Sequence, residues 1–211
     1  PNLSYKTTMI YNPLDFDKIK KKSNIIKIDE NVESKLIKDD YILSVSRLDE
    51  STKDFSSLLK SIRLIKDKKS LFFKLIILGD GNDREMLENL ANELDIKESV
   101  FFLGEKENPY IWMKNAKLLV HSSKQEGFCL VLAEALSLEC DVVTTNCPVG
   151  PSEILKNGLY GDLCEVGNIE ELANLISSNI SKKTNKSISF KTEKYSIESS
   201  SKHLLNRLEN I

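Results

Sequence analysis

Apolar residues fall along this chain in two alternating rhythms. Short apolar runs at residues 41–46 (YILSVS), 72–78 (FFKLIIL), 100–103, 117–121 (KLLVH) and 141–145 each read as a strand. They lack the in-and-out alternation of a half-exposed strand, so they suit a parallel sheet covered on both faces. Between them the apolar positions recur every three to four residues. Phe55, Leu58, Leu59, Ile62 and Ile65 form one such stripe, Met86, Leu87, Leu90, Ala91 and Leu94 a second, and Ile169, Leu172, Ala173, Ile176 and Ile180 a third. That spacing predicts amphipathic helices, each laying one face against the sheet. Residues 108–116 add a short helix around Trp112, which is expected in packing rather than in stacking on a ligand. Asn82 followed by Glu85 resembles a capping box opening the second of the striped helices.

The remaining stretches are less regular. Residues 7–12 predict a short strand ended by Pro13, because the residue before proline is steered out of helical geometry. Residues 15–40 are charged and weakly patterned, with a brief apolar run at 25–28. Residues 163–166 predict a last short strand, 181–194 a polar surface linker, and 195–208 a weakly amphipathic closing helix through Ile197, Leu204, Leu205 and Leu208. Strands alternating with helices of this length predict an α/β, Rossmann-like parallel sheet flanked by helices and joined by right-handed crossovers. The expected organisation is one domain over residues 1–194 and a closing helix over 195–211.

Composition narrows the function class. With 40% apolar and 29% charged residues the 211-residue chain is globular in type, and a net charge of −2 provides no basic field for nucleic acid. The four cysteines form no C-x-x-C pair, so free thiols in a reducing, cytoplasmic setting are expected. His121 and His203, far apart in sequence, do not suggest a zinc site. No apolar run nears the roughly 18 residues that mark a membrane helix, and no signal peptide is evident. The chain begins at Pro1, and is expected to be a piece of a longer protein.

The densest chemistry lies in SSKQEGFCLVLAEALSL, residues 122–138, where Glu126 and Glu134 stand eight positions apart. A strand precedes this stretch, Gly127-Phe128 makes a turn, and an apolar helix follows. Eight helical residues rise about 12 Å. The helix N-terminus between the two acids offers unpaired N–H groups and partial positive charge, a seat for phosphate. Read plainly, Glu126 is also the first-turn acid that the helix dipole favours, and Glu134 a charge on the helix edge. Arg47 and Lys53 fall in the loop after the strand at 41–46, where open α/β sheets bind ligands. Their plain reading is pairing with Asp49 or Glu50. Gly79-Asp80-Gly81 lacks the third glycine of a dinucleotide fingerprint.

Glu126-x7-Glu134 with Gly127-Phe128 resembles the signature of the retaining, nucleotide-sugar-dependent glycosyltransferases of family 4, the group 1 transferases. Arg47 and Lys53 have the family's six-residue separation, although Ser46 and Asp54 stand where the family usually has glycine. Cys147-Pro148-x-Gly150-Pro151-x-Glu153 is similar to a loop of its surface-polysaccharide members. The resemblance spans roughly residues 7–208 and corresponds to the second, donor-binding half of the two-domain GT-B architecture, without the acceptor domain. It implies that Arg47 and Lys53, with N–H groups of Gly127, Phe128, Cys129 and Leu130, neutralise the leaving diphosphate. Glu126 would hold hydroxyls of the transferred sugar and Glu134 the ribose, with residues from Gly104 to Lys106 near the base. It also implies a UDP-sugar donor, no metal, and a glycan or lipid-linked glycan acceptor for O-antigen or capsule-type polysaccharide. The setting would be the cytoplasm, with the missing domain providing any contact with the inner membrane face. Competing classes are half of an epimerase or phosphorylase on the same plan, a nucleotide-dependent dehydrogenase, and a binding module without catalysis. The dehydrogenase would need the full G-x-G-x-x-G and an acid about 20 residues later, and neither is evident.

Overall fold

The computed structural model describes residues 10–25, 33–69, 73–182 and 189–208. In chain order the elements are α1 (Phe16–Lys22), α2 (Glu33–Leu36), β1 (Tyr41–Val45), α3 (Glu50–Lys53), α4 (Phe55–Lys69), β2 (Lys74–Leu78), α5 (Arg84–Glu93) and β3 (Val100–Phe102). They continue with α6 (Tyr110–Asn115), β4 (Leu118–His121), α7 (Leu130–Ser137), β5 (Val142–Thr145), α8 (Pro151–Ile154), β6 (Asp162–Cys164), α9 (Ile169–Ser181) and α10 (Ile197–Leu208).

The six strands form one parallel sheet in the order β3-β2-β1-β4-β5-β6. The strands are apolar on successive positions because both faces are covered. Tyr41, Leu43, Ile76, Leu78, Leu119 and Val142 pack with Ile19, Trp112, Leu132 and Ile154 from α1, α6, α7 and α8. Their strand neighbours Ile42, Leu75, Ile77, Leu118, Val120 and Val143 pack with Leu58, Leu59, Leu87 and Ile176 from α4, α5 and α9. Each large aliphatic side chain removed from water in this way contributes about 1.5–3 kcal/mol. Trp112 lies in the first of these layers, 2% exposed and edge-on to Tyr41, whose hydroxyl donates to the Trp112 carbonyl at 2.7 Å.

Several local expectations are corrected. Residues 10–13 are not strand, and Leu14 makes only an isolated bridge to Ser196; residues 7–9 lie outside the described residues, as do 26–28 of the brief apolar run. The Asn82–Glu85 capping box does not form. The residue before α5 is Asp83, whose carboxylate instead accepts the Glu50 backbone N–H at 2.7 Å. Because α5 begins at Arg84, Asn82 stands one position too early to cap it. The loop at 146–152 runs into α8, with Pro151 at its first position, where a missing N–H costs nothing. The closing helix starts at Ile197, because Tyr195 turns inward and is 3% exposed. Residues 183–188 of the expected linker lie outside the described residues.

β1 and β4 are neighbours in space but not in sequence, so the strand order reverses direction between them. Loops leaving their C-terminal ends diverge and open a crevice there, the usual ligand position in such sheets.

Candidate active site

Two loops meet over this crevice, one after β1 and one after β4. Backbone and side-chain bonds join them: Lys124 N donates to Thr52 O at 2.8 Å, and Ser122 Oγ to Lys53 O at 2.9 Å. The β1 loop is held from its other side by the Gly79-Asp80-Gly81 turn. A Cβ on Gly79 would sit 2.0 Å from the Ser46 carbonyl oxygen, and one on Gly81 2.2 Å from that of Leu48. These glycines therefore serve close backbone approach, and the turn supports the site rather than forming a dinucleotide fingerprint.

The single turn of α3 carries Lys53 towards β4, where its Nζ lies 2.5 Å from Glu126 Oε1. The same oxygen is 2.7 Å from His121 Nε2 and 2.6 Å from Ser123 Oγ. His121 and Ser123 are 2% and 0% exposed. Burial pushes the Glu126 carboxyl upward, but hydrogen bonds from His121, Lys53 and Ser123, with the charge of His121, outweigh it and hold the group at about 2. Glu126 is therefore an ionised carboxylate in a protected cluster.

After it the chain turns sharply. Gly127 is exposed, and Phe128 packs against Tyr11 and Tyr195 with ring centroids at 5.6 and 5.7 Å. Cys129 adopts left-handed geometry, φ 68°, immediately before α7, a conformation that costs a non-glycine residue about 1–2 kcal/mol. The Cys129 side chain does not cap this end of α7, and Leu132 N donates to the Cys129 carbonyl at 3.1 Å. Gly150 lies against the turn, where a Cβ would come 2.3 Å from the Phe128 carbonyl oxygen. The loop carrying Cys147 and Pro148 is thus packed on the turn itself.

Glu134 lies on the second turn of α7. Its carboxylate accepts the Tyr110 hydroxyl at 3.1 Å. Burial raises its pKa and the Tyr110 hydrogen bond opposes this only in part; Tyr110 itself is pushed up to about 12 by burial and by the Glu134 charge.

The expected residues are thus not all gathered. Lys53, Glu126 and the turn from Gly127 to Leu130 come together. Arg47 belongs to the same loop but extends into solvent, 73% exposed, touching Asp49 at 3.4 Å. Gly104 lies beyond β3, bonded through its carbonyl to Gly79 N at 2.9 Å, and Lys106 is paired with Glu33 at 2.5 Å. Sequence reading missed His121, Ser123 and Tyr110. The available signal was a histidine ending an otherwise apolar strand, five positions before Glu126.

One group of potential metal ligands, His121, Glu126 and Cys129, has ligand atoms within 4.8 Å of one another. Charge argues against a cation there: Lys53 already occupies the carboxylate, and burial pushes the Cys129 thiol well up, so it is protonated. A cavity of about 530 Å³ lies at the opposite end of the sheet, beside Asp141 and Asp162, and contains none of these residues.

The chain matches the family model of glycosyl transferases group 1 over residues 27–197. It belongs to that family. The N-acetylgalactosamine-N,N'-diacetylbacillosaminyl-diphospho-undecaprenol 4-alpha-N-acetylgalactosaminyltransferase of Campylobacter jejuni is 34% identical over 77% of this chain and 41% of its own length. The lipopolysaccharide 1,6-galactosyltransferase of Salmonella typhimurium is 32% identical over 52% of this chain and 32% of its own. Among solved structures, the apo form of the lipopolysaccharide outer core galactosyltransferase WaaB is similar with a TM-score of 0.75 at 25% identity, over 96% of this chain and 55% of that one. Anabaena Alr3699/HepE in complex with UDP shares the fold, with a TM-score of 0.79 at 21% identity over 97% and 58% of the two chains. The chain spans less than two thirds of the length of each of these relatives. Among the described residues, no helix is long and apolar enough to cross a membrane.

Proposed function

We propose that this chain is the donor-binding half of a retaining GT-B glycosyltransferase that uses a nucleoside-diphosphate sugar, with UDP as the nucleotide. The observation that carries the reading is the Lys53–Glu126 pair at the strand-order switch, beside the uncapped start of α7. An ammonium, the nearby Arg47 and unpaired N–H groups suit a diphosphate, and they act where negative charge grows as it leaves. Glu126 holds hydroxyls of the transferred sugar, and Glu134 with Tyr110 holds the ribose. Residues from Gly104 to Lys106 lie nearer the base. In the reaction the bond from the sugar's anomeric carbon to the phosphate oxygen breaks, and the leaving diphosphate keeps the electron pair. The acceptor oxygen bonds to the same face of that carbon, and its proton passes to the departing phosphate. No metal is needed in this scheme.

The acceptor is a glycan or lipid-linked glycan in surface-polysaccharide synthesis at the cytoplasmic membrane face. The names of the Campylobacter and Salmonella relatives support that class. A separate domain would provide the acceptor site and any membrane contact, and catalysis would require closure of the two halves. The exposed Ile197, Leu204, Leu205 and Leu208 on α10 support a covering partner of this kind.

Calorimetric titration tests the reading. UDP should bind at micromolar to millimolar Kd and in preference to AMP, and Arg47→Ala and Glu134→Ala should each weaken it by about 1–3 kcal/mol. A folded chain that does not distinguish UDP from AMP would instead be a module without donor chemistry. This chain alone should transfer no sugar; acceptor-dependent release of UDP would contradict the two-domain requirement.

A further inference from the structure

Glu126 uses its two oxygens differently. Oε1 receives Lys53 Nζ, His121 Nε2 and Ser123 Oγ at 2.5, 2.7 and 2.6 Å, whereas Oε2 has no donor among the described residues. An oxygen holding three donors is fixed in place, so Oε2 is presented in one direction. Because the carboxylate is ionised it can only accept, and His121 must direct a proton at it through Nε2. The Ser123 hydroxyl, 2.8 Å from Nε2, likewise spends its proton on Oε1.

The other ring nitrogen of His121, Nδ1, has no such contact. The atom is buried and has no partner, on a side chain only 2% exposed. An unmet buried nitrogen is destabilising. The rest of β4 is Leu118, Leu119 and Val120, and another aliphatic residue would end the strand without that penalty. Packing therefore does not account for an imidazole here, and its contact with Glu126 does.

We infer that His121, assisted by Ser123, is a positioning residue that locks Oε1 of Glu126 so that Oε2 meets the hydroxyls of the transferred sugar. This rests on the donor-site reading and deepens it: the pair serves recognition of the sugar, not of the nucleotide. The quantity that isolates this role is the ratio of affinity for a UDP-sugar to affinity for UDP.

The test is titration of this chain with UDP and with UDP-glucose, UDP-galactose and their N-acetyl forms, using the sugar with the largest ratio. His121→Leu should keep UDP affinity within about twofold while the ratio falls about tenfold, the loss of one charge-assisted hydrogen bond's worth of alignment. His121→Gln, whose amide can still donate to Oε1, should restore most of the ratio, and Ser123→Ala should lower it about three- to fivefold. Equal losses for UDP and UDP-sugar would mean that His121 is merely structural, and an unchanged ratio would mean that it does not position Glu126. If the His121→Leu chain does not fold, Ser123→Ala carries the decision by the same two criteria. A parent chain that binds UDP with no gain from any sugar overturns the inference alone. A parent chain that binds no UDP overturns the donor-site reading, and the inference with it.

Discussion

Glu126 and Glu134 stand at the two ends of one turn-and-helix unit, and the fold treats the same side chain in opposite ways. Both are largely buried, and burial pushes both upward. At Glu126 a lysine, a histidine and a serine converge and reverse the effect, holding the carboxyl at about 2. At Glu134 a single neutral donor, Tyr110, faces the carboxylate, and burial prevails. Burial alone thus does not set a carboxylate's charge state; the number and charge of its donors do. One acid is anchored and ionised, and the other has room for further donors, which hydroxyls of a ligand can provide.

Removing the two acids should break the comparison most plainly. Glu126→Ala leaves Lys53 and His121 facing each other around an emptied site, with their side chains only 17% and 2% exposed. Urea denaturation should show a loss of about 3 kcal/mol. Glu134→Gln, which can still accept the Tyr110 hydroxyl and carries no buried charge, should leave stability at pH 7 unchanged or slightly higher. A comparable loss in both variants would mean that the two environments do not differ as described.

Acid should separate them next. Glu126 is lowered from 4.5 to about 2, so its contribution is fully present above pH 4.5 and is lost as pH falls towards 2. The expected loss across that window is about 3 kcal/mol, measured by urea unfolding and absent in Glu126→Gln. Glu134 has the opposite sign. With a raised folded value, its contribution is present below the unfolded value and lost as pH rises through the folded one.

A smaller effect is expected from the loop that supports the turn. Gly150→Ala forces a Cβ against the Phe128 carbonyl oxygen at a residue with φ +98°, so a loss of about 2 kcal/mol is expected in thermal or urea unfolding. Smallest is Tyr110→Phe, which deletes the only donor shown on Glu134 among the described residues. It should cost about 1 kcal/mol and move the Glu134 titration further up, as followed by NMR of its carboxyl carbon.

Much of the fold was legible because strands covered on both faces are apolar at nearly every position, and β1, β2 and β4 depart from this only at Ser44, Lys74 and His121. Helix α9 was equally plain, its stripe from Ile169 to Ile180 lying within Ile169–Ser181. The expected capping box at Asn82 and Glu85 failed by one position: α5 begins at Arg84, so Asp83 holds the cap position, and its carboxylate is engaged by the Glu50 backbone 33 positions away. In the candidate site, the positions of Glu126, Lys53 and the Gly127-Phe128 turn could be picked out by motif, but not who touches whom. Lys53 meets Glu126 across 73 residues and Tyr110 meets Glu134 across 24. Contacts between loops that leave different strands have no period along the chain, so no pattern announces them. Arg47 shows the converse, since a motif position alone did not reveal that its side chain lies in solvent beside Asp49.

By itself, then, the amino-acid sequence determined the alternation of strands and helices, the class of sheet, and the family to which its spaced acids and Gly-Phe turn point. Those properties depend on local periodicity and on residue types at short separations. Only the tertiary structure decided that His121 and Ser123 share one oxygen of Glu126 with Lys53, and that Glu134 is left to Tyr110. It also decided that Gly79, Gly81 and Gly150 are needed for close backbone approach. Electrostatics and steric fit depend on distance in space, and parallel strands bring together loops that the chain itself keeps far apart.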